Sequence, residues 1–319
     1  MFGLDRLIDR IDELASPISV GLDPLLSMMP VHLSREMFGE YGDTPRAVSE
    51  MFFLYNMAII DAVADIVPAV KPQIAMYERY GVDGVEAYVR TCEYAAGKGL
   101  YVIGDIKRGD ISSTAEAYAD HLAGAEIGLE RVDLWHEDAI TVNPYLGSDG
   151  IRPFTRACRE AGKAIFVLVK TSNMSSRELQ DVRIGGKMMY EKVADLVELW
   201  GAELVGERGY SAVGAVVGAT HPDVGRALRE AHPGMFFLVP GYGAQGARAE
   251  DLADFFDAEG RGCIVNSSRG VIAAWQRSAE AADEAVAAPD AKRSLSLVSA
   301  SARAAALTMA DDLRSHILT

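Results

Sequence analysis

LYVIGDIKRGDISSTAEAYAD, residues Leu100 to Asp120, is the stretch around which the chain is organised. An apolar, β-rich run, Leu100-Tyr101-Val102-Ile103, gives way to Asp105, Lys107, Arg108 and Asp110. Ser112, Ser113 and Thr114 then lead into Ala115-Glu116-Ala117-Tyr118, a helix start. A strand that delivers charges at its C-terminal end and turns into a helix is an active-site design in parallel α/β proteins. In an extended chain, residues two apart point to the same side, so Asp105 and Lys107 are expected to share one face. A surface salt-bridge cluster is the plain alternative.

Working outward, the same alternation repeats. Upstream, a helix at 4–15 precedes a strand at 18–24 ending in Asp23-Pro24; residues 26–45, with Pro30, Gly39, Gly42 and Pro45, read as a long connection. An apolar helix at 46–65 precedes a short strand, 67–73, that ends in Lys71-Pro72-Gln73, and a helix at 83–96 leads into the quoted stretch. Downstream, strands are expected at 139–143, 164–169, 212–217, 236–240 and 262–266. Helices are expected at 114–123, 150–161, 187–205, 222–231 and 249–258, with an acidic insertion at 124–138 and an Ala-rich helical tail at 279–319. Repeated βα units predict a parallel sheet, and a count of eight strands predicts a closed (β/α)8 TIM barrel with extra helices at both termini. The whole chain, 1–319, reads as one domain with its core at about 17–272.

Composition narrows the class. Hydrophobic residues at 49% and charged residues at 24% suit a globular protein, and no apolar run approaches the roughly 18–20 residues of a membrane span. The net charge of −15 argues against nucleic-acid or anionic-membrane partners, though a few local donors can still hold one phosphate. Cys92, Cys158 and Cys263 are far apart, as expected of buried thiols in a reducing cytoplasm, and the six histidines are dispersed without metal-ligand spacing. GxGxxG after the first strand, GxxxxGK[ST] and GxSxG are all absent.

Polar residues recur at successive strand ends: Asp23, Lys71, the Asp105-Lys107-Asp110 group, Asn143, Ser172, Pro240 and Arg269. The last two loops are the most telling, because barrels of this kind bind phosphate after strands seven and eight. Pro240-Gly241-Tyr242-Gly243-Ala244-Gln245 offers glycines that let backbone amides approach an anion, plus one amide side chain. Ser267-Ser268-Arg269-Gly270 adds a guanidinium suited to bidentate phosphate contact.

Taken in order, GLDP, AVKPQ, DIKRGDISSTAEAYA, VKTSN, VPGYGAQG and NSSRG resemble orotidine 5′-phosphate decarboxylases of the longer bacterial branch, over roughly residues 17–272. The resemblance implies a (β/α)8 homodimer that converts orotidine 5′-monophosphate to UMP and carbon dioxide without a metal or organic cofactor. It implies that Lys107 protonates the pyrimidine carbon within a network with Asp105 and Asp110, and that Asp23 and Lys71 contact the ribose hydroxyls. It further implies that Ser172 bonds the pyrimidine, that Gln245 and Arg269 bind the phosphate, and that Pro240 starts the loop closing over it. Asp110 and Thr114 are expected to enter the partner subunit's site. The alternatives are a magnesium-dependent sugar-phosphate decarboxylase with the same D-x-K-x-x-D core, a Schiff-base aldolase using Lys71, Lys107 or Lys170, and a catalytically silent phosphosugar-binding protein.

Overall fold

The computed structural model describes residues 3–243, 246–278 and 290–317. Eight parallel strands close into a barrel: β1 Ile18–Leu22, β2 Ala69–Pro72, β3 Tyr101–Arg108, β4 Ala139–Val142, β5 Ala164–Lys170, β6 Val213–Val217, β7 Phe237–Pro240 and β8 Cys263–Ser267. Neighbours in sequence are neighbours in the sheet, and β1 pairs with β8 to complete the ring through Ile18 with Val265 and Val20 with Ser267. Strands β1, β2, β4, β6 and β8 are buried throughout, the pattern of strands covered by helices on the outside and packed side chains within.

Two stretches near the cavity depart most from expectation. Residues 26–45 are not a plain connection but carry the helix Val31–Tyr41. Pro30 sets its entry, Leu33 and Met37 bury one face at i,i+4 spacing, and Gly42, at φ 68°, ends it. Gly39 faces open space and so interrupts nothing. Strand β3 runs past its apolar part to Arg108, because its pairing with β4 shifts: Gly104 lies opposite Ile140, yet Arg108 lies opposite Val142. That bulge puts Lys107 at φ +46°, a left-handed conformation costing roughly 1–3 kcal/mol in a non-glycine residue.

The back of β3 is equally specific. Gly104 has no room for a Cβ, which would meet Glu137 Oε1 at 2.1 Å. Glu137 is fully buried there, accepting from the Tyr88 hydroxyl and bonded to His121 Nδ1 at 2.8 Å.

The acidic insertion forms a two-stranded hairpin, Ala125–Ile127 with Glu130–Val132, and residues 249–255 form a 3-10 turn instead of an α-helix. The helix Pro45–Val63 begins with Thr44 accepting from the Ala47 amide at 3.3 Å and with Pro45 in its first turn. Its apolar character has a structural reason: it packs against helix Gly81–Gly97 and is overlain by the terminal helix Ala291–Ile317. Val298, Ala302, Ala306, Ala310 and Leu313 of that terminal helix are buried.

Candidate active site

The C-terminal ends of the strands frame a cavity of about 370 Å³. Asp23 follows β1, Lys71 and Asp105 come from β2 and β3, Pro240 ends β7, and Arg269 opens the short helix Arg269–Ile272 after β8. Leu25, Met28 and Met76 supply apolar wall, with Gly241, Tyr242, Asn266 and Ser268 between. Residues from five strands thus meet in one volume, which only closure of the barrel can bring about.

Asp105 is the hub. One carboxylate oxygen accepts from Lys71 Nζ at 2.7 Å and Gln73 Nε2 at 2.9 Å. The other accepts from Thr141 Oγ1 at 2.9 Å and from the Lys107 ammonium. Thr141 Oγ1 also accepts the Lys107 amide N–H at 3.0 Å, so one threonine on β4 braces both the carboxylate and the bulged backbone. Burial would push the Asp105 carboxyl up, but the charges and hydrogen bonds of Lys71 and Lys107 outweigh it and hold it well below the usual carboxylate range. Burial likewise opposes the charge on Lys71, yet Asp105 and Asp23 keep its pKa above the ordinary lysine value. Both groups are therefore ionised near neutrality.

The expected same-side relation of Asp105 and Lys107 holds, although the bulge, and not simple pleating, produces it. Lys71 is 4% exposed and lines the cavity while bonded to Asp105, whereas the Lys107 side chain is 45% exposed.

The cavity also offers groups without protein partners. Among the described residues, Asp23 Oδ1 and Asn266 Oδ1 are buried acceptors with no hydrogen bond, suited to donors such as sugar hydroxyls. Arg269 is exposed at the rim and has no hydrogen-bonded or ion-paired acceptor among the described residues, an arrangement suited to an anion. The donor side of a polar, anionic ligand is thus met at one end and its acceptor side at the other.

Other expected residues lie elsewhere. Ser172, after β5, packs beside Gly218 and is not on the cavity wall. Asp110 accepts the amide N–H of Ile111 at 2.8 Å, and Thr114 is exposed on the helix Ser112–Ala123; neither touches Asp105 or Lys107. Gln245 falls outside the described residues. Gln73, Thr141 and Asn266 belong to the site although the sequence pattern does not single them out. Gln73 stands two residues after Lys71 on a strand end, and that spacing was the available signal. Thr141, in the middle of an apolar strand, carried none.

Among the described residues, no three His, Cys, Asp or Glu side chains are grouped to hold a metal ion, and no helix is long and apolar enough to cross a membrane.

Comparison with known proteins identifies the family. A family model described as "Orotidine 5'-phosphate decarboxylase / HUMPS family" matches residues 43–284. Orotidine 5′-phosphate decarboxylase of Caldicellulosiruptor saccharolyticus is 42% identical over 85% of this chain and 90% of its own. The enzyme of the same name from Rhodopirellula baltica is 44% identical over 83% of this chain and 87% of its own. A solved structure of Leishmania donovani OMP decarboxylase superimposes with a TM-score of 0.72 at 30% identity, covering 100% of both chains.

Proposed function

The chain belongs to the orotidine 5′-phosphate decarboxylase / HUMPS family, and from that premise we propose that it converts orotidine 5′-monophosphate to UMP and carbon dioxide. The observation that carries this reading is the Lys71–Asp105–Lys107 array beside a cavity with unpaired acceptors at one side and a free guanidinium at its rim.

Decarboxylation leaves an electron pair on the pyrimidine carbon. The Lys107 ammonium stabilises that developing charge and then donates its proton to the carbon. Asp105 holds Lys107 in place and, lying near the departing carboxylate, disfavours the ground state. Asp23 accepts from the ribose hydroxyls and Lys71 donates to them. Arg269, with Gln245 and the loop begun by Pro240, binds the phosphate, while Ser172 bonds the pyrimidine. One charge pair at ~4 Å contributes about 4 kcal/mol at an effective dielectric of ~20. Very slow reactions require a barrier reduced by roughly 20 kcal/mol or more. Lys107 is therefore insufficient alone, and binding energy at the remote phosphate must be spent on organising the site.

We further read the enzyme as a homodimer in which Asp110 and Thr114 enter the partner's site. Supporting this, both lie outside their own cavity, and Ile111, Tyr145 and Leu146 near them are 49%, 78% and 46% exposed. One domain in a reducing cytoplasm fits the three buried free thiols.

The test is loss of orotidine 5′-monophosphate absorbance with purified protein in EDTA. Turnover is expected; its absence sinks the reading, and magnesium-dependent release of carbon dioxide from a sugar phosphate in its place would favour the sister reaction.

A further inference from the structure

The terminal helix Ala291–Ile317 lies outside the barrel, yet it reaches the cavity through one hydrogen bond. The Tyr242 hydroxyl donates to Asp312 Oδ2 at 2.5 Å, and Tyr242 lines the cavity beside Pro240, Gly241 and Arg269. Among the described residues, this is the side-chain hydrogen bond that ties residues 241–243 and 246–247 to another element. The remaining bonds there are internal, such as Gly243 N–H to the Ala247 carbonyl at 2.9 Å.

The backbone around Tyr242 does not place its ring. Gly241 and Gly243, on either side, have φ of 114° and 70°, conformations that glycine adopts freely. The ring packs partly buried against the core, and its hydroxyl is fixed by the partner Asp312. Burial, the bond to Asp312 and that residue's charge all push the Tyr242 phenol up, so it stays protonated and donates. Asp312's other oxygen is 3.7 Å from His316 Nδ1.

The partner itself is firmly anchored. Ser299 Oγ donates to the Ala58 carbonyl at 2.8 Å, and Arg303 pairs with Asp65 at 2.6 and 2.9 Å, both partners near the end of helix Pro45–Val63. Ala302, Ala306 and Ala310, four residues apart, let the two helices approach closely. The terminal helix also packs against Arg269–Ile272 and against the turn Ala249–Phe255, the segments that follow β8 and β7. It therefore backs both sides of the rim where Arg269 stands.

We propose that the terminal helix is part of the anion-binding end of the site, with Asp312 as a positioning residue that acts through Tyr242. This rests on the reading above that the substrate phosphate binds between the segments after β7 and β8. Tyr242, held against Asp312, shapes that rim; without the bond its ring swings and the anion end loosens while the sugar and base end does not.

The experiment titrates the full-length protein with UMP, uridine and inorganic phosphate, alongside its melting temperature and its turnover of orotidine 5′-monophosphate. Asp312→Ala and Tyr242→Phe should each raise the Kd for UMP about tenfold, weaken phosphate in step, and leave uridine within about twofold. The double variant should be no worse than either single one, because both remove the same bond. Asp312→Asn, whose amide oxygen still accepts, should retain most of the affinity. Unchanged UMP binding, or equal losses for UMP and uridine, would overturn the proposal, the second outcome marking a purely structural bond. If the wild type turns over substrate and the variants bind UMP normally, this inference alone fails. If the wild type does not turn over, the functional reading fails, and the phosphate titration still decides the role of Asp312.

Discussion

Tyr101–Arg108 and Asp110–Thr114 are separated by one glycine and behave as opposites. The first segment ends in a buried carboxylate with four donors on it and a lysine held in a left-handed bulge. The second is exposed from Ile111 to Thr114, and its half-buried aspartate bonds only to the neighbouring amide among the described residues. Nearness in sequence therefore says little about how a charge is used. Where barrel strands surround it, Asp105 acquires fixed partners; one turn later, Asp110 keeps only its neighbour's amide among the described residues.

The contrast can be broken most forcefully at Lys107. On the proposed mechanism, Lys107→Ala should lower kcat/KM by about 10⁴-fold or more with little loss of folding, since the side chain is half exposed and the variant would lack both proton donor and charge. Asp110→Ala should cost less, on the order of 10²–10³-fold, with an unchanged melting temperature. Mixing the two inactive variants should restore activity, because each heterodimer then holds one site with Lys107 from one subunit and Asp110 from the other. A mixture that stays inactive after confirmed subunit exchange would place Asp110 within its own subunit's chemistry and erase the contrast.

Smaller effects sharpen it on the stability side. Gly104→Ala should destabilise by about 1–3 kcal/mol in urea denaturation, as the new methyl group meets Glu137 and Tyr88 in a closed space. Gly109→Ala should cost less, since its nearest obstacle, the Asn143 carbonyl, is 3.1 Å away on a yielding loop. Matching losses at both positions would contradict the division between rigid strand and open turn.

The slightest effect is in pH. Asp105 has a folded pKa below its ordinary value of 3.8, so the stability it contributes is fully present above that value and is lost as pH falls through the folded pKa. The acid limb of the urea midpoint, followed downward from pH 5, should be flatter in Asp105→Asn, whatever its absolute stability. An unchanged slope would show that the Lys71 and Lys107 partnership is not what acid disrupts.

Much of this was readable in advance, and the exceptions share a cause. The strands were legible because short apolar runs between helical patterns are a local signal, as Ala164 to Lys170 and Phe237 to Pro240 illustrate. The helix Val31–Tyr41 was hidden by Gly39 and Gly42, since glycine signals a break only where its conformation or space requires one. Thr141 was hidden because a single hydroxyl in a buried strand looks like packing until its partners come from another strand. The bulge at Lys107 could not be seen because a mismatch in pairing belongs to two strands at once.

The amino-acid order alone was enough for the alternation of eight strands with helices, the polar residues at their C-terminal ends, and the family, because periodicity and short motifs are properties of contiguous residues. The tertiary structure decided which of those ends share a volume. Closing β1 onto β8 brings Asp23 and Arg269 to the same cavity, the β3 bulge turns Lys107 onto Asp105, and the terminal helix sets Asp312 against Tyr242. Such contacts depend on how a closed sheet and its covering helices meet in space, which no local pattern encodes.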